Sequence, residues 1–158
     1  FKEQSTRKFI SEFEAQANDD WKLPELTEFV SGYIEDTTYI HGFNIASVVA
    51  SQKSGDCTED AALTTALSRA KGLPARYITG TVIVAESDEV YAFGHAWTEV
   101  FVDEKWQIID AALYNVNAEN RFYLPGTALE NEGMGYGLSF IEAIAFLPSK
   151  ITGLKKAD

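Results

Sequence analysis

The chain holds one cysteine and two histidines. Cys57 stands in "SGDCTEDAALTTALSRAKGLPAR", with Gly55 and Asp56 before it and Thr58, Glu59 and Asp60 after it. A cysteine kept for packing usually sits among apolar neighbours, where it behaves as a small hydrophobe. These neighbours are polar, which suggests a reagent. A nucleophilic thiol needs a base. His95 opens the strand-like stretch "HAWTEVFVDEKWQIIDAAL", whereas His41, in "TYIHGFN", reads as a loop residue with a surface or packing role. Asp110 lies in the same stretch as His95 and offers a carboxylate to orient the imidazole. Thiol, imidazole and carboxylate are the nucleophile, base and orienter of acyl transfer through a covalent intermediate.

Such groups act only if the backbone brings them together. Asp56 followed three residues later by Glu59 has the spacing of a capping box, so a helix is expected to start at Cys57. Leu63, Ala66, Leu67 and Ala70 form its apolar face, and Gly72 and Pro74 end it. The partial positive charge of a helix N-terminus favours thiolate over thiol, and the free N–H groups there could hold an oxyanion. If Asp103 and Glu104 form a two-residue turn, Val102 faces Lys105 and Trp97 faces Asp110. His95 and Asp110 then share one face of the hairpin as diagonal neighbours. A three-residue turn would put Asp110 on the opposite face.

The rest of the chain divides once. Phe9, Ile10 and Phe13 recur at helical spacing, as do Leu26, Phe29, Val30 and Tyr33 within residues 23–39, and "ASVVASQ" reads as a shorter helix. After Pro74 the pattern is strand-like: "ARYITGTVIVA", "GHAWTEVFV" and "KWQIIDAAL". Helices followed by an antiparallel sheet make an α+β fold. "RFYLP" reads as a further strand, "EGMGYGLS" as a flexible loop, and "SFIEAIAFL" as either helix or strand. The glycines at 133, 135 and 137 match no phosphate-binding pattern.

Composition narrows the function. A length of 158 residues, 46% of them hydrophobic, suits a single domain over 1–158. A net charge of -11 argues against nucleic acid, which needs clustered Lys and Arg, and against an anionic membrane surface. No apolar run approaches the roughly 18 residues of a membrane span. One cysteine excludes an internal disulfide and does not identify the redox compartment, so cytoplasm and periplasm both stay open. A start at Phe1 reads as a fragment or processed product, with any signal peptide outside it.

The blocks "GDCTEDAALTTALSRAKGLPARYITG", "HAWTEVFV" and "WQIIDAA", with the approach "FNIASVVASQKSGDC", resemble the signature blocks of the transglutaminase-like superfamily, in its bacterial type, over a core of about residues 22–115. The resemblance implies a papain-like core, with the cysteine helix packed on an antiparallel sheet. It makes Cys57 the nucleophile, His95 the base and then the acid, and Asp110 the orienter. Gly72, Pro74 and Arg76 match the family's "GLPAR" turn, and Trp97 and Trp106 match aromatic positions flanking the hairpin. Gln52, five residues before the cysteine, and Trp97 are secondary candidates beside the oxyanion. The family includes protein crosslinkers, peptidases, amidases and modules that have lost catalysis. The expected function is cysteine-dependent acyl transfer on a peptide or protein amide through a thioester, with hydrolysis placed ahead of transamidation. A non-catalytic binding or scaffold module is the alternative. No cofactor or metal is expected, and nothing resembles the calcium sites of the animal crosslinking enzymes. The oligomeric state is not set by the sequence.

Overall fold

A computed structural model describes residues 3–39, 44–86, 89–116 and 120–129. His41, "EGMGYGLS" and "SFIEAIAFL" lie outside the described residues. The first helix, α1 (Gln4–Gln16), buries Phe9 and Phe13 against α2 (Leu23–Ser31), which starts with Pro24 in its first turn and buries Leu26 and Val30. The helical pattern of residues 23–39 predicts a longer element than forms. Gly32 caps α2, and the chain then runs extended through β1 (Asp36–Thr37), which pairs in parallel with β2 (Ser54–Gly55). Tyr33 is buried nonetheless, its hydroxyl donating to the Ala50 carbonyl at 3.0 Å. Between the two short strands lies α3 (Ala46–Gln52), which Lys53 ends in a left-handed conformation at φ 53°.

The helix α4 (Cys57–Ala70) begins in a complete capping box. Asp56 Oδ1 accepts from the Thr58 N–H at 2.8 Å, and Glu59 Oε2 accepts from the Asp56 N–H at 3.1 Å. Glu59 is fully buried and its other oxygen accepts from the Asn44 N–H at 3.1 Å, so one carboxylate ties the preceding loop to the helix start. Gly55 leaves the room for this: a Cβ there would overlap the Glu59 side chain, with Oε2 only 2.9 Å away.

Four antiparallel strands form the sheet, in the order β5-β4-β3-β6: β3 (Ala75–Glu86), β4 (Glu89–Val102), β5 (Lys105–Ile109) and β6 (Asn120–Leu129), the last containing "RFYLP". Val102 pairs with Lys105. Asp103 and Glu104 both take positive φ, 53° and 62°, as a two-residue hairpin turn that follows the twist of its strands requires. Arg76 braces this hairpin: Nε and Nη2 donate to Glu99 Oε2 at 2.8 and 2.6 Å, and the guanidinium lies 4.1 Å from the Trp106 ring centre.

Small side chains let α4 approach the sheet. Ala61 and Ala62 pack against Tyr77 and Ala96, with Cys57 at the margin of the cluster. Thr98 Oγ1 reaches the Ala61 carbonyl at 3.0 Å and Thr65 Oγ1 at 2.9 Å. On the helix's other face, Leu63 and Leu67 join Phe9, Phe13, Leu26 and Val30, each wholly or almost wholly buried. Burying a leucine contributes about 1.5–3 kcal/mol, so this layer fixes α4 between the N-terminal helices and the sheet. Among the described residues, no helix is long and apolar enough to cross a membrane.

Candidate active site

Sheet register decides where the imidazole and the carboxylate stand. β5 pairs with β4 only from Thr98↔Ile109 to Val102↔Lys105, so Asp110 follows one residue beyond the ladder, on the face of Trp97 and His95. His95 Nε2 and Asp110 Oδ2 are 2.8 Å apart, and both residues are buried. An ionised carboxylate has no proton to give, so Nε2 carries the hydrogen and Nδ1 stays free to accept. Asp110 Oδ1 accepts the Leu113 N–H at 3.1 Å. Trp97 stacks on the His95 ring with centroids 6.3 Å apart, and Phe93 meets it edge-on at 5.9 Å.

Cys57, the first residue of α4, and His95 line one cleft of about 460 Å³, with Asp110 behind the imidazole. Its walls include Asp56, Cys57, Asp60, Phe93, His95 and Leu113, and among the described residues no Lys or Arg lines it. Beside the half-buried sulfur, the Ala96 backbone N–H points at it from β4.

The electrostatics here differ from the sequence expectation of a thiolate favoured at the helix start. Burial pushes the Cys57 thiol up to about 12, and the charges of Asp56, Asp110 and Asp60 add to the rise, while the Ala96 N–H opposes it. A helix terminus contributes about half an elementary charge, which is outweighed by desolvation and three nearby carboxylates. Burial and the acidic neighbours thus favour the thiol over the thiolate at rest. Asp60, one helical turn from Cys57, is likewise raised to about 8 by burial and then by Asp110, Asp56 and Glu59. Its Oδ1 is buried without a hydrogen-bond partner among the described residues.

Two sequence candidates lie elsewhere. Gln52 ends α3, is exposed and does not line the cleft. Trp97 is buried behind His95, and its indole N–H has no partner among the described residues. Sequence reasoning missed Asp60 as a wall of the cleft, and it missed Tyr123, whose hydroxyl donates to Asp110 Oδ2 at 2.8 Å. Spacing from Cys57 held a signal for Asp60, since positions three apart share a helix face. None existed for Tyr123. No group of three or more metal-ligating side chains is arranged to hold an ion among the described residues.

Residues 9–111 match the family model of the transglutaminase-like superfamily. Among solved structures, the fold is similar to that of a protein from Cytophaga hutchinsonii named as a candidate cysteine protease, at 19% identity and a TM-score of 0.52, covering 83% of this chain and 54% of that one. It is also similar to a protein named a TGase, at 16% identity and a TM-score of 0.52, covering 76% of this chain and 33% of that one. The chain thus spans about half the length of the first and a third of the second. At these identities the likeness establishes the fold, α+β with an antiparallel sheet. No curated protein matches by sequence.

Proposed function

We propose, for a chain that belongs to the transglutaminase-like superfamily, a cysteine-dependent acyl transfer on a peptide or protein amide. The observation that carries this reading is the 2.8 Å contact of His95 Nε2 with Asp110, which leaves Nδ1 to accept a proton in the cleft that Cys57 lines. As the Cys57 sulfur attacks the amide carbonyl, its proton passes to His95 Nδ1 and a tetrahedral oxyanion forms. In this reading the backbone N–H of Cys57, at the first helical position and so without an intrahelical acceptor, donates to that oxyanion. His95 then returns the proton to the leaving amine, the C–N bond breaks and a thioester remains. Water attacks the thioester through the same base, releasing the acid and restoring the thiol; an amine in place of water gives a new amide. Asp110 keeps the ring in one tautomer and stabilises the imidazolium that forms at each step.

Because the resting thiol is raised, the nucleophile is generated during attack rather than stored as an ion pair. The test is mass spectrometry of the protein after incubation with p-nitrophenyl acetate and with amide-bearing peptides. An acetyl or peptidyl adduct on Cys57 is expected, released by hydroxylamine, and lost in Cys57→Ala and strongly slowed in His95→Ala. Absence of any adduct on Cys57 with a well-folded chain would favour the binding-module reading.

A further inference from the structure

A tyrosine on an outer strand of the sheet reaches the carboxylate that orients the histidine. Tyr123 lies on β6, where it pairs with Val82 of β3, and two strands separate β6 from β5. Its hydroxyl donates to Asp110 Oδ2 at 2.8 Å, the same oxygen that receives His95 Nε2 at 2.8 Å. With the Leu113 N–H on Oδ1, three donors from β4, from β6 and from the turn after β5 fix the plane of one carboxylate. The Arg121 guanidinium lies beside the Tyr123 oxygen in turn, and Arg121 also donates to the Val116 carbonyl.

The sheet is shaped for this reach. The β3–β6 register shifts between Thr79 and Gly80, and Gly80 stands opposite His95 on one side and Pro125 on the other. A side chain at Gly80 would overlap the Leu124 carbonyl and come within 2.9 Å of the Trp97 ring. Where Gly80 leaves space, the Trp97 and Tyr123 rings meet at 5.1 Å and 63°. Packing alone would be served by phenylalanine. Burial and the charge of Asp110 raise the phenol well above its ordinary value, so the hydroxyl stays a donor across the working range of pH.

We propose that Tyr123 is a positioning residue for the proposed acyl transfer: by holding Asp110 Oδ2 it locks His95 in the Nε2–H tautomer, which keeps Nδ1 available to Cys57. The inference rests on the Cys57–His95–Asp110 reading. Without the hydroxyl the Leu113 N–H still holds Oδ1, but Oδ2 loses one of its two donors. The carboxylate is then less firmly held, the Nε2–H bond is weaker, and part of the imidazole population carries its proton on Nδ1, where it cannot act as base. Outer hydrogen-bond partners of this kind, studied at metal-bound histidines, typically change function by about 10- to 100-fold.

The experiment compares Tyr123→Phe with the unaltered chain. With 15N-labelled histidine only two imidazoles contribute, and His41 serves as the internal control. The unaltered chain is expected to give the Nε2–H pattern for His95. Tyr123→Phe should raise the Nδ1–H fraction several-fold, leave the His41 signals in place and slow acetylation of Cys57 by p-nitrophenyl acetate roughly 10- to 100-fold, with the melting temperature changed by no more than a few degrees. A variant with the same His95 tautomer and the same acetylation rate would overturn the role of Tyr123 alone, provided that the unaltered chain is acetylated in a His95-dependent manner. Acetylation that ignores His95→Ala would overturn the triad and this role together.

Discussion

His95 and Asp110 sit in a closed polar network, whereas Cys57 and Asp60, on the other wall of the same cleft, sit in an open one. On the sheet side both carboxylate oxygens of Asp110 have donors, and the His95 ring is fixed by Phe93 and Trp97. On the helix side a thiol raised to about 12 lies beside a carboxyl raised to about 8, whose Oδ1 has no partner among the described residues. The sheet side thus fixes the His95 ring from several directions, as the proposed role of base requires. The helix side keeps its groups protonated, because burial and the neighbouring acids disfavour a thiolate and a second carboxylate there. In the proposed reaction the imidazolium formed on His95 would offset the negative charge that attack develops. Strain and unmet polar groups concentrate where function requires them.

The largest effect is expected from breaking the sheet side. Asp110→Asn preserves size but removes the charge that stabilises the imidazolium, and an asparagine that turns its NH₂ toward Nε2 favours the wrong tautomer. Acylation of Cys57 should fall by about 10²- to 10⁴-fold, as loss of the triad carboxylate does in serine proteases. Stopped-flow kinetics with p-nitrophenyl acetate would check this, and a loss below threefold would remove Asp110 from the mechanism. A second measurement addresses the helix side. Iodoacetamide reacts with thiolate, so its rate with Cys57 should climb about tenfold per pH unit from pH 6 to 10, with no plateau, and stay below that of a free cysteine of pKa about 8.5 throughout. A plateau beginning near pH 6 would mean a stored thiolate–imidazolium pair.

The two sides also differed in how far the sequence disclosed them. The capping box at Asp56 and Glu59 follows from spacing alone, and the hairpin register follows once Asp103 and Glu104 are taken as the turn. Both are local features, decided within a few residues. The raised thiol is not local: the helix terminus acts through the nearest peptide groups, but burial comes from tertiary packing and the Asp110 charge from a residue 53 positions away in the chain, just past β5. Gln52 misled for a related reason. Lys53 turns the chain in a left-handed conformation, so a residue near Cys57 in sequence ends up exposed on α3. Tyr123 meets Asp110 only because a glycine and a register shift on β3 leave room across the sheet.

Asp60→Asn tests the open side by its stability. Asp60 ionises at about 8 in the folded chain but near 3.9 when unfolded. Between those values the unfolded state binds fewer protons than the folded one, so this carboxyl makes stability fall as pH rises from about 4 to 8. Asparagine removes that dependence. The variant's melting temperature should match the unaltered chain's near pH 4, exceed it increasingly up to pH 8, and hold a constant lead above. The interval from about 4 to about 8 corresponds to roughly 5 kcal/mol at most, so the lead at pH 8 is expected to approach roughly 10 °C, since 1 kcal/mol corresponds to roughly 2–4 °C at this size. An equal lead at pH 4 and pH 9 would trace the effect to packing instead.

The smallest effect is expected at the brace of the hairpin, and it separates support from chemistry. Arg76 makes two hydrogen bonds to Glu99 and lies over the Trp106 ring. Lysine keeps the charge but loses the fork and the planar stacking surface, so Arg76→Lys is not a conservative change here. The pair is partly solvent-exposed, with 37% of the Arg76 side chain accessible, which limits the loss to about 1 kcal/mol, in the range of exposed ion pairs and cation–π contacts. The melting temperature should drop by roughly 2–4 °C. Acylation of Cys57 should change less than twofold, because backbone pairing from Thr98 to Val102 and the two-residue turn hold the register that puts Asp110 beside His95. A tenfold loss of acylation at unchanged melting temperature would reverse that assignment: the guanidinium would then act on the electrostatics of the site, and the closed network around Asp110 would extend across the hairpin to Arg76.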